Sequence, residues 1–302
     1  MNRSSKPISA ELGISAIDLI RYHLLAAKVP LCLLVAFSSF FGFALSAHQL
    51  GWQAWIVFTS VFLLACGGAS LNSYQEHRWD RLMQRTRRRP VAMGVLSPIH
   101  ARRQGQVLAG AGLFLLYLGT LDPAPISAGA VALCLYNVAY TPLKYKTIWA
   151  IIPGAVCGAI PPYIGWLAGG GALFSPVILG GVILLIIWQI PHFWLVMLSN
   201  KGDYSRLPLP SLGSLVPESN LRLISIVWVA SLVTVIHTLI VMFAVMPATI
   251  RIMISIVSLA VLIVFSLQMA AWKKPRYRFL FILLNSFMLY TMALFTVGSI
   301  VV

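Results

Sequence analysis

Nine times along this chain, a run of about 20 residues passes with almost no charged side chain, the length an α-helix needs to cross a hydrocarbon core of roughly 30 Å. The runs lie at roughly 24–47, 52–72, 104–121, 124–141, 148–169, 173–199, 222–246, 248–271 and 278–301. So much apolar surface cannot face water. Hydrophobic residues make up 59% of the chain and charged residues only 10%, against about 25% charged in a soluble protein. The expected fold class is an all-α membrane protein of about nine transmembrane helices. No stretch between the runs is long enough for a separate soluble domain, so residues 1–302 read as one domain. The third and fourth runs are separated only by Asp122 and Pro123. The fifth contains Pro153, Pro161 and Pro162, which predicts a kinked helix lining a cavity. The N-terminus shows neither the short apolar core and cleavage site of a secretory signal nor the arginine density of a transit peptide.

Charge sets the orientation. With nine crossings, all of the 22 lysines and arginines except Arg251 fall on one face. Positive residues gather on the cytoplasmic side. The sequence therefore predicts a cytoplasmic N-terminus and a C-terminus on the opposite side. Sorting and contact with anionic lipid account for most of the net charge of +15. The basic run Arg85–Arg89 is wedged between two crossings, which argues against nucleic acid as a partner. The four cysteines, Cys32, Cys66, Cys134 and Cys157, lie inside apolar runs without a CxxC pair and read as small buried hydrophobes.

The chain has only seven acids, so their positions carry information. Asn72, Glu76 and Asp80 follow at steps of four from the end of the second run. If the helix continues, each step drifts only about 40° around the axis, and all three share one face at the cytoplasmic mouth. An amide oxygen and two carboxylates so stacked suit a hard divalent cation, since magnesium takes oxygen ligands and leaves places for phosphate and water. The competing reading is a helix end whose acids pair with nearby arginines. Just downstream, Arg87 and Arg89 precede Pro90, and guanidinium groups suit phosphate. Asp203, in the segment Lys201–Arg206 on the same face, is a candidate fourth ligand, with a solvated loop acid as the alternative. Lys144 and Lys146 add cations from a third loop.

These residues resemble a family. Asn72-xxx-Glu76-xxx-Asp80 followed by Arg85-Thr86-Arg87-Arg88-Arg89-Pro90 is similar to the first signature of the UbiA-type intramembrane prenyltransferases, and more narrowly of their protoheme IX farnesyltransferase branch. Tyr140-Thr141-Pro142-Leu143-Lys144, Gly158-Ala159-Ile160-Pro161-Pro162-Tyr163-Ile164-Gly165-Trp166, Trp188-Gln189-Ile190-Pro191-His192-Phe193-Trp194 and Asp203-Tyr204 resemble later stretches of that branch, and Lys28 matches a lysine near its first span. Four positions depart from the pattern. Glu76 stands where the branch has Asp, Ala150 where many members have Asn, and Gly213 where Pro is usual; Lys28 lacks the usual adjacent Pro.

The resemblance implies a bundle around a lateral apolar cavity, capped by cytoplasmic loops, in a bacterial inner membrane. It implies transfer of a farnesyl group from farnesyl diphosphate to a vinyl group of haem B, giving haem O. Magnesium, the implied cofactor, would be held by Asn72, Glu76, Asp80 and Asp203. Lys28, Arg87, Arg89 and Lys144 would bind diphosphate. Tyr136 and Tyr140 would stabilise the allylic cation through their ring faces, or serve as interfacial anchors. His192, an intramembrane histidine, would recognise haem or bond a neighbouring helix. The implied partners are farnesyl diphosphate, haem B, the lipid bilayer and a downstream haem A synthase or terminal-oxidase assembly. Two other functions stay open from the residues: prenyl transfer to an aromatic quinone precursor, and a catalytically idle haem-binding assembly role.

Overall fold

The computed structural model of the chain describes residues 15–205, 216–243, 246–270 and 275–301. Arg206 and Gly213 lie outside the described residues. Among those described, every regular element is helical. The long elements are α1 (Ala16–Ala26), α2 (Val29–Ala47), α3 (Trp52–Asp80), α4 (Pro98–Thr120), α5 (Pro123–Leu133), α6 (Ile151–Ala168), α7 (Pro176–Ser199), α8 (Glu218–Met242), α9 (Ala248–Ala270) and α10 (Tyr277–Ile300).

Eight described helical segments are long and apolar enough to cross a membrane, counting Pro123–Leu143 and Ile148–Ala168 as one segment each. The chain is thus an integral, multi-pass membrane protein. α4, the expected third crossing, is not among the eight. His100, Arg102 and Arg103 occupy its first turns, and glycine and alanine dilute the rest. It is nonetheless the closest partner of α3, because small residues let the backbones meet. A Cβ on Gly105 would come within 2.9 Å of the Gly67 carbonyl oxygen and of the Leu71 nitrogen. A similar seam joins α2 to α6, where a Cβ on Gly42 would fall 1.7 Å from the Pro162 carbonyl oxygen. α7, α8, α9 and α10 enclose the largest apolar core, around Leu184, Leu232, Ile236, Ile254, Phe265, Leu284 and Phe287.

Two local features differ from the expected spans. The run 24–47 is two helices, because Lys28 adopts a left-handed conformation (φ 52°, ψ 44°) between α1 and α2. That conformation costs an L residue roughly 1–2 kcal/mol, and it brings the Lys28 ammonium to Asn72 of α3. α1 then lies outside the crossings with Ile17, Ile20 and Leu24 exposed along one side, as in an interfacial helix.

The fourth run is not a plain helix. After α5 it widens into a π-helical segment, Cys134–Tyr140, before the turn Thr141–Leu143. Such widening loosens the regular ladder, and side chains answer it. Gln75 Nε2 donates to the Asn137 carbonyl at 2.8 Å, and Thr141 Oγ1 to that of Tyr136 at 2.8 Å. Cys134, at the start of this segment, is exposed rather than buried, while Cys32 and Cys66 are buried. α6 runs on helically through Pro161 and Pro162.

Between α4 and α5, Leu121 closes one helix in the left-handed region and the Asp122 carboxylate caps the next by accepting from Ala124 N–H at 2.8 Å. Asp122 and Pro123 therefore suffice to separate two helices. α3 is unbroken for 29 residues, so the helix does continue past Asn72. At 1.5 Å per residue it is roughly 43 Å long. Its last turns therefore rise past the hydrocarbon and carry Asn72, Glu76 and Asp80 to the mouth.

Candidate active site

Asn72, Glu76 and Asp80 do share one face of α3, and all three are nearly inaccessible, at 2%, 3% and 4% exposure. Two carboxylates so buried need compensation. It comes from three different segments. Arg89, from the loop after α3, donates through Nη1 to both Asp80 oxygens at 3.0 and 2.9 Å and lies 3.7 Å from Glu76. Lys144, after the π-helical segment, pairs with Glu76. Lys28, at the break before α2, donates to Asn72 Oδ1 at 2.6 Å. The Asn72 amide nitrogen is in turn shared between Glu76 and Thr141 Oγ1. Burial, reinforced by the positive charge of Arg89, pulls the Lys28 ammonium down to about 8, while Glu76 opposes the shift. Three cations against two carboxylates leave the mouth positively charged before anything binds.

Asp203 is buried on the same side of the molecule but works differently from the expected ligand. Its two oxygens accept from the backbone N–H groups of Gln84 and Arg85, each at 3.0 Å. Among the described residues no three of His, Cys, Asp and Glu come together as a metal cluster. Asp203 thus fastens the loop that carries Arg89 and does not join Glu76 and Asp80. Thr86, also buried, holds the same loop by donating to the Asp80 carbonyl at 3.1 Å. Arg87 is exposed; its backbone N–H donates to the Met83 carbonyl at 2.9 Å, and its side chain pairs with no acid among the described residues. Of the two arginines expected to bind diphosphate, Arg89 turns onto the acidic face while Arg87 stays exposed.

The donor set that remains, two buried carboxylates and one amide oxygen on a single helix face, has the hard-oxygen chemistry of a divalent-cation site. Glu76 reaches that face as well as Asp80 does, so its extra methylene does not remove it from the cluster.

Above the ion pairs an aromatic series begins. Tyr136 and Tyr140 stack at 5.9 Å and 14°, and Tyr140 continues onto Phe193 of α7 at 6.1 Å and 27°. A bare glycine makes this possible, since a Cβ on Gly154 would press within 2.8 Å of the Tyr140 ring. Lys144 Nζ lies 5.6 Å from the Tyr140 centroid. Phe193 then meets His192, which is flanked by Trp188 and Phe281 at 4.8 and 4.9 Å. The series joins the charged mouth to the one intramembrane histidine of the Trp188–Trp194 motif. The His192 ring also bonds Asn285 of α10, at 3.0 Å. Sequence reasoning missed Thr141, Phe193 and Asn285. Phe193 sat inside a motif already singled out, whereas nothing local distinguishes Asn285.

Comparison with known proteins shows the family and the fold. The sequence profile of the UbiA prenyltransferase family matches residues 33–295. The protoheme IX farnesyltransferase of Geobacter sulfurreducens is 41% identical over 209 residues, covering 67% of this chain and 76% of that protein. The human mitochondrial protoheme IX farnesyltransferase is 36% identical over 199 residues, covering 65% of this chain and 44% of that protein. Among solved structures, a UbiA homolog from Archaeoglobus fulgidus bound to GPP and Mg2+ superposes with a TM-score of 0.68 at 16% identity, over 93% of this chain and all of that one. A digeranylgeranylglyceryl phosphate synthase superposes with a TM-score of 0.73 at 16% identity, over 94% of this chain and 99% of that one. At such identities the superpositions speak to fold alone.

Proposed function

This chain belongs to the UbiA prenyltransferase family, and on that footing we propose that it transfers a farnesyl group from farnesyl diphosphate to a vinyl group of haem B. The observation that carries the chemistry is the buried Glu76–Asp80 pair met by Arg89 and Lys144, with Lys28 on the adjoining Asn72. The acceptor rests on relatives that carry the name protoheme IX farnesyltransferase. Those names favour haem over an aromatic quinone precursor and an active enzyme over an idle assembly protein.

In this reading the allylic C–O bond breaks and its electron pair leaves with the diphosphate. The terminal vinyl carbon then bonds the farnesyl cation. Water adds to the remaining carbon beside the porphyrin and loses a proton, giving the hydroxyethylfarnesyl side chain of haem O. Magnesium, held by Glu76 and Asp80 with Asn72, would supply positive charge to the departing diphosphate. Arg89, Lys144 and Lys28 bind the same diphosphate from the other sides. Tyr136 and Tyr140 offer ring faces to the cation beside that cluster, and the apolar bundle keeps water from capturing it early. Asp203 and Thr86 position the Arg89 loop. His192 is the haem-recognising residue. One membrane domain carries all of this, and the charge distribution supports a site and N-terminus on the cytoplasmic side of a bacterial inner membrane.

The test is a product assay. Detergent-purified protein receives haem B, farnesyl diphosphate and magnesium, with a chelator control and an Asp80→Ala variant, and the pigments are weighed by mass spectrometry. A magnesium-dependent farnesylated haem that vanishes in the variant is the expected result. Full product formation by Asp80→Ala refutes the metal-diphosphate mechanism. Transfer only to an aromatic acceptor moves the chain to another branch.

A further inference from the structure

His192 and Asn285 meet at 3.0 Å between α7 and α10, and the chemistry of the pair fixes a proton. The Asn285 amide nitrogen donates to the Phe281 carbonyl at 2.5 Å, one turn back on its own helix. Only an N–H can sit there, because an amide oxygen facing a carbonyl oxygen at that distance would repel it. The amide oxygen is therefore the atom turned toward His192. An oxygen acceptor requires a donor, so His192 Nδ1 carries the hydrogen, and Nε2 is left with its lone pair. Among the described residues Nε2 has no polar partner.

The ring is also held in place. Trp188 and Phe281 lie 4.8 and 4.9 Å from it, centroid to centroid, and Phe193 closes an edge at 5.7 Å. Trp188, one turn before His192, donates to the carbonyl of Leu284 at 3.3 Å, so α7 is pinned to α10 at two successive turns. A histidine that ligates a metal characteristically gives its other N–H to an oxygen acceptor, which sets tautomer, orientation and basicity.

We propose that Asn285 is a positioning residue for the acceptor: it holds His192 in the Nδ1–H tautomer and so leaves Nε2 as the atom that ligates the iron of the haem substrate. This rests on the haem-acceptor reading above.

The test uses the full-length protein in lipid nanodiscs, titrated with ferrous haem B. Soret absorbance gives affinity, and the iron–histidine stretching band in resonance Raman gives the strength of the bond. The wild type shows the band, and His192→Ala loses it. Asn285→Leu weakens haem affinity about 10- to 100-fold and moves the band to lower frequency. Asn285→Asp, which accepts the Nδ1 proton more strongly, keeps wild-type affinity or better and moves the band up. Binding of farnesyl diphosphate stays unchanged in both Asn285 variants, which separates an effect on haem from a loosened bundle. If Asn285→Leu does not fold, Asn285→Asp carries the test, and an unshifted band in it overturns the proposal. If His192→Ala loses the band while the Asn285 variants match the wild type in affinity and frequency, Asn285 is a helix contact only and the haem reading survives. If His192→Ala keeps the band, the iron ligand lies elsewhere and the proposal falls while haem binding stands; if the wild type takes up no haem, the haem-acceptor reading itself falls.

Discussion

Replacing Arg89 by alanine pulls apart two roles that the folded site gives to one side chain. Arg89 bonds both Asp80 oxygens and stands 3.7 Å from Glu76, with 28% of its side chain exposed. Hydrogen bonds to charged groups are worth about 1.5–3 kcal/mol, and partial exposure places this one near the lower end, at about 2 kcal/mol. For a chain of this size that is a drop in Tm of about 3 °C. The same change uncovers two buried carboxylates, so a divalent cation should bind the variant more tightly than the wild type. A tenfold gain in affinity returns about 1.4 kcal/mol at saturating metal, or about 2 °C. Thermal unfolding with and without magnesium reads both effects at once. The expected pattern is a variant that is less stable without metal and gains more from it. A magnesium-induced rise no larger than the wild type's would refute the assignment of Glu76 and Asp80 as metal ligands. In turnover, loss of this phosphate clamp should lower kcat by about 10²-fold.

Three further outcomes follow from the geometry. Lys28 is drawn down to about 8, so its ammonium is present below that pH and lost above it; kcat/KM for farnesyl diphosphate should fall above about pH 8, and Lys28→Arg should carry the plateau higher in a pH-rate profile. Tyr140→Leu should lower kcat roughly 10- to 30-fold while Tyr140→Phe stays near wild type, since a cation over a desolvated ring gains about 2 kcal/mol from the ring face and not from the hydroxyl. Gly42→Val should cost at least about 3 kcal/mol, seen as a large fall in Tm or loss of folded protein, because its Cβ would overlap the Pro162 carbonyl oxygen.

What could be read from the sequence was local. The spacing of Asn72, Glu76 and Asp80 is a property of one helix, and a helix keeps its period whatever packs against it. The crossings were legible for the same reason, α4 with the weakest apolar signal, because its glycines and alanines serve a neighbouring backbone more than they serve lipid. The break at Lys28 was hidden, because its partner is Asn72, 44 positions along the chain. The π-helical segment was hidden because Gln75, on another helix, helps to satisfy its carbonyls. Asp203 lay on the expected face, yet nothing in its neighbours told whether its oxygens would meet a cation or the amides of Gln84 and Arg85. Arg87 and Arg89 look alike in sequence, and only the folded turn sends one inward.

The fastening of the loop after α3 bears on the thermodynamics of substrate capture. Asp203 grips its middle, Thr86 and Arg89 tie it back to the end of α3, and Pro90 begins the turn that follows. Those bonds form when the chain folds. Farnesyl diphosphate therefore meets a receptor whose conformational entropy has already been surrendered, and calorimetry should record its association without the large unfavourable entropy that accompanies the ordering of a slack loop.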